Sequence, residues 1–182
     1  MQTQQNISYR VALGGIVSAF CLMSMFLTGV FPLLYLVLPM ISGILLLIII
    51  SEIGLEWAWV TYTAVSLLSL FVTYDIEAAM IFILFFGCYP LLKQYLQKIR
   101  IKSFRVILKL CYFNLIILIY FYINTYLFGM TELFEEIQEY GKYAGTVILI
   151  ILNPFFLMYD MSLQRLSEIY KLVLKPRITG RK

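Results

Sequence analysis

Residues 11–51 read VALGGIVSAFCLMSMFLTGVFPLLYLVLPMISGILLLIIIS and contain no Asp, Glu, Lys or Arg. An apolar helix crosses the ~30 Å hydrocarbon core of a bilayer in about 20 residues. This run is therefore long enough for two consecutive transmembrane helices, and Thr28, Gly29 and Pro32 suit the turn between them.

The composition extends this interpretation to the rest of the chain. Apolar residues make up 62% and charged residues 13% of the 182 residues, whereas soluble domains average about 45–50% and about 25%. The apolar windows are continuous rather than alternating, and lipid-exposed backbone must satisfy its own hydrogen bonds, so helices are expected. The sequence predicts an all-α integral membrane bundle.

Windows of low charge and sufficient length predict six transmembrane helices. We place them at about 11–30, 32–51, 57–74, 77–92, 109–129 and 143–160. The fourth is the weakest, because it is short and contains Pro90. Residues 1–163 form one membrane domain, and 164–182 form a basic cytoplasmic amphipathic segment and tail.

Lys and Arg set the orientation, because cytoplasmic loops are enriched in them. Two basic clusters, at 93–109 and 165–182, are separated by two spans. Six spans with both termini cytoplasmic place every Lys and Arg inside except Lys142. A five-span model without the fourth window loses only Arg10 from that side, so this alternative stays open.

The loops predict amphipathic elements at both membrane faces. Thr131–Tyr140 has the spacing of a short helix on the outer face, with Thr131 as a possible N-cap. Residues 93–109 and 164–174 mix basic and apolar side chains, which predicts interfacial segments attracted to anionic membrane lipid. They serve either as orientation anchors or as docking surfaces for a partner.

The common catalytic motifs are missing from the sequence. It has no histidine, no G-x-x-x-x-G-K-[ST] phosphate loop, no H-E-x-x-H and no G-x-S-x-G. Cys21, Cys88 and Cys111 lie in apolar stretches, where small buried residues are expected rather than a disulfide or a reactive thiol. We therefore expect no enzyme activity, no cofactor, no metal and no nucleic-acid partner.

The first helix carries small residues along one face, namely Ala12, Gly15 and Ala19. Small side chains let another helix approach closely in lipid, where no hydrophobic force drives helices together. This face packs either against another helix of the same chain or against a partner protein.

Two groups of polar residues are candidates for solute binding. Tyr74, Asp75 and Glu77 lie in the short turn between the third and fourth spans; they bind an amine or cation, or they are solvated turn residues with Asp75 capping the next helix. Asn114 and Asn153 lie inside spans five and six, where a buried amide needs a partner, either another helix or a ligand.

The layout resembles the substrate-binding S components of energy-coupling factor (ECF) transporters. The resemblance covers chain size, six spans and Ala12-x-x-Gly15-x-x-x-Ala19, where that family has Ala-x-x-x-Ala; Gly15 replaces the first alanine. The runs 75–79 and 85–93 are also similar to uncharacterised bacterial membrane proteins. The resemblance implies a multi-pass protein of the bacterial plasma membrane that captures a small solute outside and docks on a transmembrane coupling subunit served by separate ATPases.

Two functions remain open from the sequence. The first is solute capture near the outer leaflet, with energy supplied by partner ATPases. The second is a structural or regulatory subunit of a larger membrane complex, without transport activity. Lipid chemistry by the external carboxylates is a weaker third interpretation, because two acids without histidine do not define a reaction.

Overall fold

The computed structural model describes residues 2–126, 144–170 and 172. The expected outer helix at 131–140 and the end of the basic tail lie outside this part. The helices, in chain order, are α1 Gln2–Val30, α2 Val37–Glu52, α3 Leu55–Val72, α4 Ile76–Ile81, α5 Cys88–Leu96, α6 Lys102–Tyr126 and α7 Ala144–Ile169. Within the described residues there is no strand, which confirms the all-α prediction.

Five helical segments are long and apolar enough to cross a membrane. Four of them are Ile7–Val30, Leu55–Val72, Lys102–Tyr126 and Gly145–Ile169; the fifth, Ile76–Leu96, joins α4 and α5. The sixth apolar helix, Val37–Glu52, is shorter at 16 residues, or about 24 Å. These features define a helical membrane protein.

Among the six expected spans, the second, formed by α2, is thus the shortest, and not the fourth. The expected fourth span has 21 residues because its helix continues past Lys93 to Leu96. The expected second span loses its first residues to a 3-10 turn at Pro32–Leu34. Pro39 lies in the first turn of α2, where backbone N–H groups have no partner within the helix, so it breaks no hydrogen bond there.

By its internal contacts the chain divides into two units. Residues 1–95 together with 166–182 form unit 1, and Leu96–Arg165 form unit 2. In unit 1, α1, α2 and α3 pack on one another, and α2 also packs on the π-helical segment Phe82–Phe86. Fully buried side chains in this unit include Met25, Leu46, Ile49, Val65, Phe82 and Tyr89.

A reciprocal pair of hydrogen bonds joins α1 to α2. The Cys21 thiol donates to the Ser42 carbonyl at 3.4 Å, and the Ser42 hydroxyl donates to the Cys21 carbonyl at 3.2 Å. Cys21 is a small buried residue as expected, but Cys88 is half-buried and Cys111 is exposed. The burial expectation is therefore right for Cys21 and wrong for Cys111, which lies on an outward face of α6.

The segment Phe82–Phe86 makes a π-helical bulge inside the expected fourth span. The Gly87 N–H donates to the Phe82 carbonyl at 2.7 Å, five residues back, instead of to Ile83. The Tyr62 hydroxyl of α3 donates to the Ile83 carbonyl at 2.7 Å. The bulge leaves the Ile83 carbonyl without the Gly87 N–H as a donor, and a side chain from a neighbouring helix satisfies this carbonyl instead.

Gly43 allows α2 to approach this bulge closely. A Cβ atom at position 43 would overlap the Phe86 carbonyl oxygen and would lie 2.8 Å from its carbon. Pro90 has no N–H to donate to the Phe86 carbonyl. The glycine Cα–H group can approach this oxygen directly, which is a recognised weak contact at helix interfaces.

Candidate functional site

The turn before α4 uses its first acid as a helix cap. The Asp75 Oδ1 atom accepts hydrogen bonds from the backbone N–H groups of Glu77 at 3.0 Å and Ala78 at 3.3 Å. Glu77 lies in the first turn, where the helix dipole favours a negative charge. Both acids are half-buried. Local structure accounts for both carboxylates, and binding of a cation by them stays a prediction.

Tyr74 packs against the end of α1 while most of its surface stays exposed. A Cβ at Gly29 would lie 2.8 Å from the Cβ of Tyr74, so glycine is needed for this approach. The Phe26 and Tyr74 rings are 5.8 Å apart. Because Tyr74 remains 79% exposed, much of its ring is open to other molecules.

The small-residue face of α1 is exposed along its length. Ala12, Gly15 and Ala19 are all exposed, and a Cβ at Gly15 would meet nothing within 4 Å. The opposite face makes the contacts within unit 1: a Cβ at Gly14 would lie 3.6 Å from the Thr61 hydroxyl oxygen, and Val17 is buried. Of the two alternatives for the small face, packing against another helix of unit 1 does not occur among the described residues.

In unit 2, a buried ion pair joins α6 to α7. The Lys109 ammonium lies 2.6 Å from the Asp160 carboxylate, and their side chains are 7% and 11% exposed. Both residues belong to candidate spans. Charged residues inside a membrane span are costly and usually pair with one another, as these two do.

Asn114 and Asn153 pair with each other as well. Each amide donates to the side-chain oxygen of the other, at 3.1 and 3.3 Å. Each also donates to the carbonyl four residues earlier in its own helix, both at 2.8 Å. The structure therefore brings the two predicted asparagines together and gives each amide nitrogen two acceptors.

Between the ion pair and the amide pair, the Phe113 and Phe156 rings stack at 4.5 Å. Phe113 follows Lys109 by four residues in α6, and Phe156 precedes Asp160 by four residues in α7, so the paired residues run in opposite directions along the two helices. We call the surface formed by Lys109, Asn114, Asn153 and Asp160 the polar seam. Asn114 is at the middle of α6, about 18 Å from its first residue.

The ion pair was not predicted from the sequence, in which Lys109 belongs to the basic cluster at 93–109. The helices α6 and α7 extend further than expected, from Lys102 and to Ile169, and this places both charges within helices. Lys109 and Phe113 are four residues apart in α6, and Phe156 and Asp160 are four residues apart in α7. This matched spacing indicates an ion pair only when the two helices are known to pack together.

Asn124 is a second residue that the sequence analysis missed. Its side chain is 2% exposed, and neither its amide oxygen nor its amide nitrogen has a hydrogen-bond partner in the part of the chain that the structure describes. It lies in the last turn of α6, near Tyr126. A buried amide without a partner is costly in any apolar medium.

Within unit 1, a hydrogen bond holds the segment after α7 near the end of α2. The Tyr170 hydroxyl donates to the Glu52 carboxylate at 3.2 Å. Burial, followed by the charge of Glu52, raises the pKa of Tyr170 to about 12, and Tyr9 of α1 contributes electrostatically. The end of α2 and the residue after α7 are thus close in space.

These features define a multi-pass α-helical membrane protein with a polar seam and an exposed small-residue face. Comparison with models of known protein families, with curated proteins and with solved structures finds no match to this chain. The functional assignment therefore depends on the geometry of its residues.

Proposed function

We propose that this protein is a membrane-embedded solute-binding subunit of a multi-subunit importer of the bacterial plasma membrane. It captures a small metabolite from outside and relies on partner ATPases for energy, as the S components of energy-coupling factor transporters do. The proposal assigns no chemical reaction to the chain. The observation that carries it is the buried amide of Asn124.

An amide in a water-free environment needs a donor for its oxygen and an acceptor for its nitrogen. The amides of Asn114 and Asn153 meet this need within the polar seam, whereas Asn124 does not among the described residues. A bound solute that carries both a donor and an acceptor would remove the cost of that buried group. Asn124 is thus available to a ligand in a way that Asn114 and Asn153 are not.

The proposal includes six spans, with both termini in the cytoplasm. The Tyr170–Glu52 hydrogen bond supports this arrangement, because it joins the end of the second helix to the residue after the last one. In this arrangement Asn124, at the opposite end of α6 from the basic residues, lies toward the outer leaflet.

The exposed face of Ala12, Gly15 and Ala19 is the proposed contact with a transmembrane coupling subunit. Close helix packing in lipid needs small residues that another backbone can reach. Gly15 meets this condition, because even an added Cβ would touch nothing within 4 Å.

Ligand-dependent thermal stability tests the solute proposal. Purified protein is screened against a library of small metabolites, and one of them should raise the melting temperature. Asn124→Ala should abolish this shift while leaving the ligand-free protein about as stable, because it removes an amide without a partner. The matched control Asn114→Ala should instead lower the stability of the ligand-free protein. Absence of any stabilising metabolite, or an unchanged shift in Asn124→Ala, would contradict the proposal.

The predicted cation site in unit 1 has its own variant. If Asp75 binds an amine-bearing solute, Asp75→Ala abolishes the thermal shift. Asp75→Asn can still cap α4 through its side-chain oxygen but has no negative charge, so loss of the shift in this variant is not caused by loss of the cap. A shift retained in both variants removes Asp75 from the binding model.

A structural or regulatory subunit without transport is the second candidate. It is favoured by the hydrogen bonds that occupy Asp75, Asn114 and Asn153 within the chain. Such a subunit would still use the small-residue face of α1, so loss of a partner in Gly15→Leu would not distinguish the two functions. Stabilisation by a metabolite through Asn124 would distinguish them.

A further inference from the structure

The start of α6 carries a concentration of positive charge with no nearby acid in the sequence. Between Glu77 and Glu132 the chain contains no acidic residue. Arg100 and Lys102 are exposed, and Arg105 is half-buried. In the described part of the chain no ion pair involves these three residues, whereas Lys109, further along the helix, is paired with Asp160.

The backbone adds to this positive charge. The Arg105 N–H donates to the Ile101 carbonyl at 3.1 Å, which makes Ile101 the residue that precedes the helix. Its aliphatic side chain cannot accept a hydrogen bond, and the first turn of α6 contains no acidic residue. The N–H groups of this turn have no acceptor within the helix, and the helix dipole is positive at the same end.

The Arg105 side chain shapes the same turn. One of its guanidinium nitrogens donates to the Gln97 carbonyl at 3.5 Å. A guanidinium has five N–H donors, so this single bond positions the group and leaves other donors for an anion.

Apolar side chains surround these cations. Ile101 is 66%, Phe104 51% and Ile107 61% exposed. Lys102 is also the first residue of a candidate membrane span. The cations are therefore at the depth of lipid headgroups, while the neighbouring apolar side chains are placed to contact acyl chains.

We propose that Arg100, Lys102 and Arg105, together with the first turn of α6, bind the phosphate of an anionic phospholipid. The exposed Ile101, Phe104 and Ile107 favour a lipid over a soluble phosphate, because a soluble anion would not cover them. The bound phosphate neutralises charges that otherwise repel one another and fixes the depth of α6 in the bilayer. This inference does not depend on solute transport.

Native mass spectrometry of the full-length protein in detergent tests the site. The protein is titrated with phosphatidylglycerol or phosphatidylcholine of identical acyl chains, and lipid-bound species are quantified. Phosphatidylglycerol should bind more tightly to the parent protein. Each cation near a membrane surface contributes about 1 kcal/mol, so each single variant Arg100→Gln or Lys102→Gln should weaken phosphatidylglycerol binding about fivefold.

Two further arms make the test decisive. Arg10→Gln removes an exposed cation from α1 and should change binding less than twofold. The triple variant R100Q/K102Q/R105Q should lose the preference for phosphatidylglycerol. Its melting temperature should change little, because these side chains make no ion pair among the described residues and the Arg105–Gln97 hydrogen bond is exposed and long, at 3.5 Å. Equal binding of the two lipids by the parent, or an undiminished preference in the triple variant, would overturn the proposal. Displacement of phosphatidylglycerol by millimolar inorganic phosphate would assign the site to a soluble anion instead.

Discussion

Two glycines of the first two helices offer a direct test of the packing in unit 1. Gly43 of α2 and Gly15 of α1 are both helical, and Gly→Ala in a helix stabilises by about 0.5–1 kcal/mol when the added methyl group has space. At Gly15 the methyl group meets nothing within 4 Å, so Gly15→Ala should be neutral or stabilising by up to that amount.

At Gly43 the same methyl group overlaps backbone atoms. It would meet the Phe86 carbonyl group, with the carbon at 2.8 Å. Backbone cannot rotate away as a flexible side chain can, so α2 and the π-helical segment must separate. Overpacking of this kind costs about 1–3 kcal/mol. The gain in helix propensity is common to both variants and cancels between them, so Gly43→Ala should be less stable than Gly15→Ala by about 1–3 kcal/mol.

Thermal unfolding measures this difference. The parent and both variants are unfolded in the same detergent and followed by the fluorescence of Trp57 and Trp59. A difference of 1 kcal/mol shifts the melting temperature by about 2–4 °C in a chain of this size. Gly43→Ala should therefore melt about 2–12 °C below Gly15→Ala. Equal melting temperatures would refute the close approach of α2 to Phe86.

Three further predictions concern the polar contacts. Asp160→Leu leaves the Lys109 charge buried alone and should destabilise the protein by about 3–5 kcal/mol in chemical unfolding, whereas Lys109→Met combined with Asp160→Leu should recover most of that loss. Asn114→Ala and Asn153→Ala should each lower the free energy of unfolding by about 1–3 kcal/mol. The double variant should lose less than the sum of the two, because each single change already leaves the other amide with fewer partners. Additive losses would contradict the pairing. The pKa of Tyr170 is raised to about 12, so its contribution to stability is present below about pH 10 and is lost as the pH rises through 12. The difference between the ultraviolet absorbance titrations of the parent and of Tyr170→Phe should have its midpoint near pH 12. A midpoint near pH 10 would contradict the contact with Glu52.

The spans are the part of the fold that sequence predicts well. Their existence follows from continuous apolar runs and the thickness of a bilayer. Five of the six expected windows overlap helical segments long enough to cross a membrane, and the second overlaps the shorter apolar helix Val37–Glu52. Their ends are less predictable, because a helix continues past a charge when another helix pairs with it. This is why the sequence places Lys109 in the basic cluster at 93–109 and does not predict its buried ion pair with Asp160.

The candidate site was predictable only in part. An amide in an apolar span must find a partner, which correctly identified Asn114 and Asn153 as residues that need one; that they pair with each other requires the register of α6 against α7. The π-helical bulge at Phe82–Phe86 has no simple sequence signal, because it depends on Tyr62 of another helix to satisfy the Ile83 carbonyl. Asn124 differs from the other asparagines only in its surroundings, which the sequence alone does not contain.

The membrane topology is the basis of the proposed function, and reporters at the two ends of the chain test it most directly. A pair of fusions that are active on opposite sides of the membrane is attached in turn to the N-terminus and the C-terminus. The account predicts a cytoplasmic signal from both ends, in agreement with the hydrogen bond between Tyr170 and Glu52. Signals from opposite compartments would contradict it.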